Sequence, residues 1–221
     1  MLSLALVVIA GVELFCVGLL WVRKARAART VILGLVGIGT AYDSAVFGLG
    51  ALIGEGPLLH GLSVGRFVGH ALLTPLLVLW AADRTKASPR WRRVAAVITI
   101  LLIGWGLLSE LAHLQLAPRW FADTLRYTSE SSTVPLAAIA VSAVLVVAGV
   151  ALWREEGIRF PLVGVAALIV ASGAGAVCPP LGNAGEAVML VALTGAELAA
   201  PGLSSNGRRD RHQARVTPAH W

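Results

Sequence analysis

Eight ionisable residues of this chain, Glu13, Asp43, Arg66, His70, Glu110, His113, Glu186 and Glu197, fall within or at the ends of long apolar runs. The runs cover about 2–22, 31–53, 62–82, 94–114, 134–153, 161–178 and 184–201, each near the roughly 20 residues a helix needs to cross a bilayer. An ionisable group at the centre of such a helix costs a few kcal/mol on insertion scales, so its default reading is functional. The expected architecture is all-α: a polytopic membrane protein, a bundle of seven transmembrane helices with a polar site inside it. Composition agrees, with 57% hydrophobic and 14% charged residues and a mean hydropathy of +0.80, far from a soluble domain. Residues 1–202 are read as the seven-helix domain and 203–221 as a disordered basic cytoplasmic tail. The first run reads as a span and not a cleaved leader, because no basic segment precedes it and Arg23, Lys24, Arg26 and Arg29 follow it.

Charge sets the expected orientation. Fifteen of the 18 lysines and arginines lie in alternate loops: Arg23 to Arg29, Arg84 to Arg93, Arg154 and Arg159, and Arg208 to Arg215. Arg119 and Arg126 lie on the other side, and Arg66 lies in a span. The positive-inside rule places the fifteen in the cytoplasm, with the N-terminus outside and the C-terminus inside. This bias also accounts for a pI near 10.3 without nucleic acid, since the basic residues flank spans where they meet anionic headgroups. The expected location is a cell membrane, the inner membrane of a bacterium, with membrane lipids as surroundings. Cys16 and Cys178 differ in depth by roughly 20 Å at about 1.5 Å per residue, out of disulfide reach. The outer segment 115–133, with Trp120, Phe121 and Tyr127, reads equally as an interfacial lid or as a plain connector.

Depth along the spans gathers the polar residues. Arg66 and His70 are i and i+4 on one helix face, and Glu110 and His113 are i and i+3 on another. Glu13 and Asp43 lie near the midpoints of the first two spans, and Glu186 at the outer turn of the last. Pro75 bends the third span and frees the carbonyl near residue 71, a possible part of the site. The only lysines, Lys24 and Lys86, lie in loops, so no retinal Schiff base forms inside the bundle. Neither an HExxH helix, a GxSxG elbow, a phosphate-binding loop nor a CxxC pair occurs, and no metal or cofactor is expected. What remains is acid–base chemistry in an apolar cavity. Burial favours the uncharged form of a carboxyl, which can then donate a proton. Asp43, Glu13 and Glu110 are the candidate acids and His70 the candidate base. Tyr42, Phe47, Arg66, Phe67, Trp105 and Glu186 are candidate contacts for a hydrophobic small-molecule substrate, with aromatic faces able to stabilise a carbocation.

Length, span number and scattered intramembrane acids make the chain similar to the small seven-helix microbial transmembrane terpene cyclases. It also resembles an uncharacterised bacterial integral membrane family with a tyrosine–aspartate pair (Tyr42, Asp43), an R-x3-H-x4-P pattern (Arg66, His70, Pro75) and a GN-x-GE turn (Gly182, Asn183, Gly185, Glu186). The cyclase resemblance implies proton-initiated cyclisation of an isoprenoid or its epoxide, and carries no assigned catalytic residue. The open alternatives are a small proton-coupled transporter, which midplane acids and a kinked helix suit equally, and a non-catalytic scaffold or sensor.

Overall fold

The computed structural model describes residues 1–24, 27–112, 114–130 and 135–199, without the side chains of Lys24 and Glu110. His113, the Glu110 carboxyl and the basic tail therefore lie outside the described residues. The helices are α1 (Leu2–Lys24), α2 (Ala28–Ile53), α3 (Pro57–Leu73), α4 (Leu76–Arg84), α5 (Pro89–Gly106), α6 (Leu136–Glu156), α7 (Phe160–Ala174) and α8 (Pro180–Ala199). A π-helical turn, Leu107–Leu111, ends α5. Five helical segments are long and apolar enough to cross a membrane: Leu2–Arg23, Ala28–Ile53, Pro57–Arg84, Pro89–Ser109 and Leu136–Glu156. They mark a membrane-associated protein. The shorter α7 has 15 residues, about 22 Å at 1.5 Å per residue, and α8 carries Asn183, Glu186 and Glu197 within its length.

The apolar runs became helices because each is rich in Leu, Val, Ala and Ile, and in hydrocarbon a helix satisfies its backbone internally. α3 and α4 are one span broken at Thr74–Pro75, where Leu77 and Val78 bond to the carbonyls of Thr74 and Pro75. Proline has no N–H to give, so the ladder skips a turn there. The carbonyl of Ala71 thereby freed faces Gly106 of α5 and does not line the cavity described below, contrary to the sequence expectation. Small residues let helices approach closely. A Cβ on Gly185 of α8 would stand 2.6 Å from the Ala171 Cβ of α7, and one on Gly164 of α7 2.5 Å from the Ala192 Cβ of α8.

The core joins Leu20, Leu33, Trp80, Leu145, Leu152, Leu190 and Leu193, all nearly or fully buried. Outside it, Leu4, Val8, Phe15, Ile100, Leu101, Leu108, Val147 and Val170 are exposed. Such an apolar exterior is a liability in water and suits lipid.

The segment between α5 and α6 departs from the all-α expectation. Leu116–Phe121 (β1) and Thr124–Ser129 (β2) pair antiparallel, with Trp120 opposite Leu125 and Arg119 opposite Arg126. The hairpin sits against the C-terminal end of α2 and the start of α3. Leu125 is fully buried with Val46 and Leu59, and its carbonyl packs onto the bare Cα of Gly50. The Trp120 indole donates to Glu55 Oε1 at 2.9 Å. Asp123 at the hairpin tip accepts from the Leu2 amide at 2.9 Å and the Ser3 amide at 3.3 Å and pairs with the Met1 amino group. It caps the start of α1, satisfying amides that lack a helical partner. These donors, the amino group foremost, hold its carboxyl down at about 2. The segment is thus an ordered cover tied to α1, α2 and α3.

Candidate functional site

At the hairpin end, α2, α3 and α8 surround a cavity of about 360 Å³, at the lower end of small-ligand cavities (about 300–1,000 Å³). Asp43 of α2, Arg66, Phe67 and His70 of α3 and Glu186 of α8 all line it. Five of the residues singled out in the sequence thus come to one place. Val36 and Leu73 supply apolar wall, and Thr40 and Thr74 supply hydroxyls. Thr128 and Ser129, the end of the hairpin, and Leu114 and Pro135 border it.

Asp43 is held at both oxygens. One oxygen pairs with Arg66 Nε, and the other accepts from Asn183 Nδ2 at 2.6 Å. The Asn183 amide also reaches Ser44 Oγ at 3.2 Å. Each oxygen accepts one of these bonds, so Asp43 lines the cavity as one half of an ion pair. The helical register explains the geometry: Asn183 and Glu186 are three apart on α8 and share a face, so the residue holding Asp43 and the residue lining the cavity descend from one stripe.

His70 is exposed toward the cavity, and its Nδ1 lies 3.3 Å from Thr74 Oγ1, one turn on. Glu186 makes no hydrogen bond among the described residues and lies within electrostatic range of Asp43, Glu13 and Arg66. These two ionisable groups line the cavity outside any ion pair among the described residues.

The aromatic candidates scatter. Phe67 alone of them lines the cavity. The Tyr42 hydroxyl donates to the Leu62 carbonyl at 2.9 Å and abuts Gly65, bracing α2 against α3. Phe47 is fully buried between two cations: the Arg126 guanidinium lies 4.4 Å from its ring centroid and that of Arg66 6.0 Å. Burial and the neighbouring Arg66 push the Arg126 guanidinium down to about 10. Trp105 is half-exposed on the outside of α5. Glu13 is fully buried in α1 behind the cavity, and its oxygens lie near the hydroxyls of Ser44 and Thr40 without reaching hydrogen-bond geometry.

Two features escaped the sequence reading. Asn183 was legible only as part of a turn, although a polar amide three residues before an acid in an apolar run is itself a signal. At the opposite, basic end a second polar cluster gathers around the buried Arg84 and Glu197. Arg84 donates to both oxygens of Glu156 at 2.8 and 2.7 Å and to the Ala196 carbonyl at 3.2 Å. Glu197, with no exposed surface, accepts from Arg29 Nε at 2.8 Å and Trp80 Nε1 at 3.1 Å. The sequence showed Arg29 and Arg84 only as flanking charge and Glu197 only as an ionisable residue at the end of an apolar run, and nothing in it paired them with Glu156.

No protein-family model matches this chain, and no curated protein or solved structure matches it.

Proposed function

We propose that this protein is a multi-pass membrane enzyme that moves protons on a lipid-soluble substrate, an isoprenoid or its epoxide, in the cavity between α2, α3 and α8. One observation carries the reading. A cavity whose wall mixes apolar side chains (Val36, Phe67, Leu73) with hydroxyls holds an ion pair, Asp43–Arg66, and two ionisable side chains, His70 and Glu186, that no ion pair occupies. Glu186 is the proposed acid and His70 the proposed base, with Asp43 and Asn183 fixing Arg66. Protonation of an alkene or epoxide by Glu186, followed by proton removal from a neighbouring carbon by His70, isomerises or cyclises the substrate with no atom gained or lost. This keeps the cyclase-type chemistry implied by the sequence resemblance and moves the acid from Asp43 to Glu186. General acid–base groups contribute about 10²–10⁴-fold each. Glu186→Gln and His70→Ala are therefore expected to lower turnover by at least about 100-fold with unchanged thermal stability. The assay is purified protein in liposomes with polyprenyl epoxides, followed by mass spectrometry of products. Wild-type protein that returns every substrate unchanged would refute the reading.

The proposed topology is seven spans, α7 and α8 included, in a bacterial inner membrane with the N-terminus outside. It is supported by the separation of charge along the bundle: Arg29, Arg84, Arg92 and Arg159 gather at the end opposite the hairpin. Reporter fusions after residues 90 and 157 should read as cytoplasmic and one after residue 125 as exterior. The reverse pattern overturns the orientation.

A further inference from the structure

We propose that Glu13 is the carboxylate of a monovalent-cation site, for one proton or one sodium ion, buried between α1, α2 and α8 behind the cavity. Glu13 has no exposed surface, and neither of its oxygens has a hydrogen-bond partner among the described residues. Its ionisable neighbours are Asp43 of α2, Glu186 of α8 and the Cys16 thiol one turn along α1. All three are acids. Arg66, the nearest cation of the site, is already committed to Asp43. A buried carboxylate with no counter-charge is destabilising by several kcal/mol, so the protein must take its neutralising charge from solution.

The surroundings offer oxygen and little else. The Thr40 hydroxyl donates to the Gly37 carbonyl at 3.2 Å, which turns its lone pairs outward. Ser44 Oγ accepts from Asn183 and keeps a lone pair and its proton. Thr194 Oγ1 is buried without a hydrogen-bond partner and faces Cys16. Hydroxyl and carboxylate oxygens suit a small hard cation.

The position links this site to the cavity through two short paths. Thr40 lines the cavity and also neighbours Glu13. Ser44, Asn183 and Asp43 form a hydrogen-bonded chain from Glu13's surroundings to Arg66. A cation at Glu13 and a ligand in the cavity therefore feel each other's charge, and linkage makes that coupling reciprocal. The inference stands whether the cavity is catalytic or not.

Infrared spectroscopy of the full chain in liposomes tests it, by difference between wild type and Glu13→Gln. Loss of one protonated-carboxyl band that shifts in deuterium oxide identifies a bound proton. Loss of a carboxylate band pair that moves when choline replaces sodium identifies a sodium ion. A carboxylate signal from Glu13 that is indifferent to that replacement overturns the proposal. Should Glu13→Gln fail to fold, Glu13→Asp keeps a carboxyl and displaces the same bands, and the sodium-to-choline difference is read on wild type alone.

Discussion

Asp43→Asn is expected to destabilise the protein by about 3–5 kcal/mol, the range for breaking a buried ion pair by removing one partner. Arg66→Ala should do less harm, and the reason lies in the charge balance around Phe47. Two guanidiniums, Arg66 and Arg126, flank that ring, and Asp43 is the carboxylate that faces them. Losing Asp43 leaves two cations in mutual repulsion inside the bundle. Losing Arg66 leaves Asp43 with the Asn183 amide and within the field of Arg126. The double variant Asp43→Asn/Arg66→Ala should recover part of the loss, because neighbours that share an interaction are not additive. Reversible unfolding in mixed detergent micelles measures all three. Equal losses for the two single variants, adding up in the double, would show that the pair and the Arg126 charge do not interact as the geometry requires.

That ion pair also shows how far the amino-acid sequence reached. The five long apolar helices were legible because apolar runs of about 20 residues have few alternatives in a membrane. Arg66, His70 and Glu186 were legible as site residues because a charge in such a run demands an explanation. What the sequence lacks is which helices adjoin. Asp43 could be read from the sequence as a midplane acid or as the partner of Arg66, and only the packing of α3 and α8 shows Arg66 on one oxygen and Asn183 on the other. Trp105 and Phe67 are both aromatic residues on apolar helices, and only their rotation about the helix axis separates the half-exposed one from the one lining the cavity. The hairpin was missed for a different reason. Its alternation, Leu125 and Tyr127 against Arg126 and Thr128, has the period of a strand. Its turn residues are Ala122 and Asp123, with Ala122 at φ 52° where the usual signal is Asn-Gly or Asp-Gly. The tertiary clasp by Asp123 and the burial of Leu125 supply what the turn sequence does not.

Arg84→Met is the other large effect expected, at about 2–3 kcal/mol for the loss of charge-assisted hydrogen bonds from a buried guanidinium, and it concerns the end of the bundle away from the cavity. The Arg84 side chain is 2% exposed and holds Glu156 of α6 by two parallel bonds while reaching the Ala196 carbonyl of α8. Its removal leaves the Ala196 carbonyl without its donor and the Glu156 carboxylate, at the exposed end of α6, without its cation, whereas Glu197 keeps Arg29 and Trp80. Arg84→Lys should rescue little, since an ammonium cannot reproduce the planar fork that meets both Glu156 oxygens. Arg84→Met/Glu156→Gln should rescue more, because it removes the charge that was stranded. The neighbouring pair Asp83–Arg92 is the internal control: Arg92 is 57% exposed, and exposed pairs are worth about 0–1 kcal/mol. Arg92→Ala and Arg84→Met with indistinguishable unfolding curves would sink the argument. The expected contrast means that α4, α6 and α8 are locked together at the basic end, with α2 joined through Arg29. A cavity that opens and closes for its ligand then does so at the other end, where the hairpin is held by side-chain contacts at Glu55, Phe47 and the start of α1.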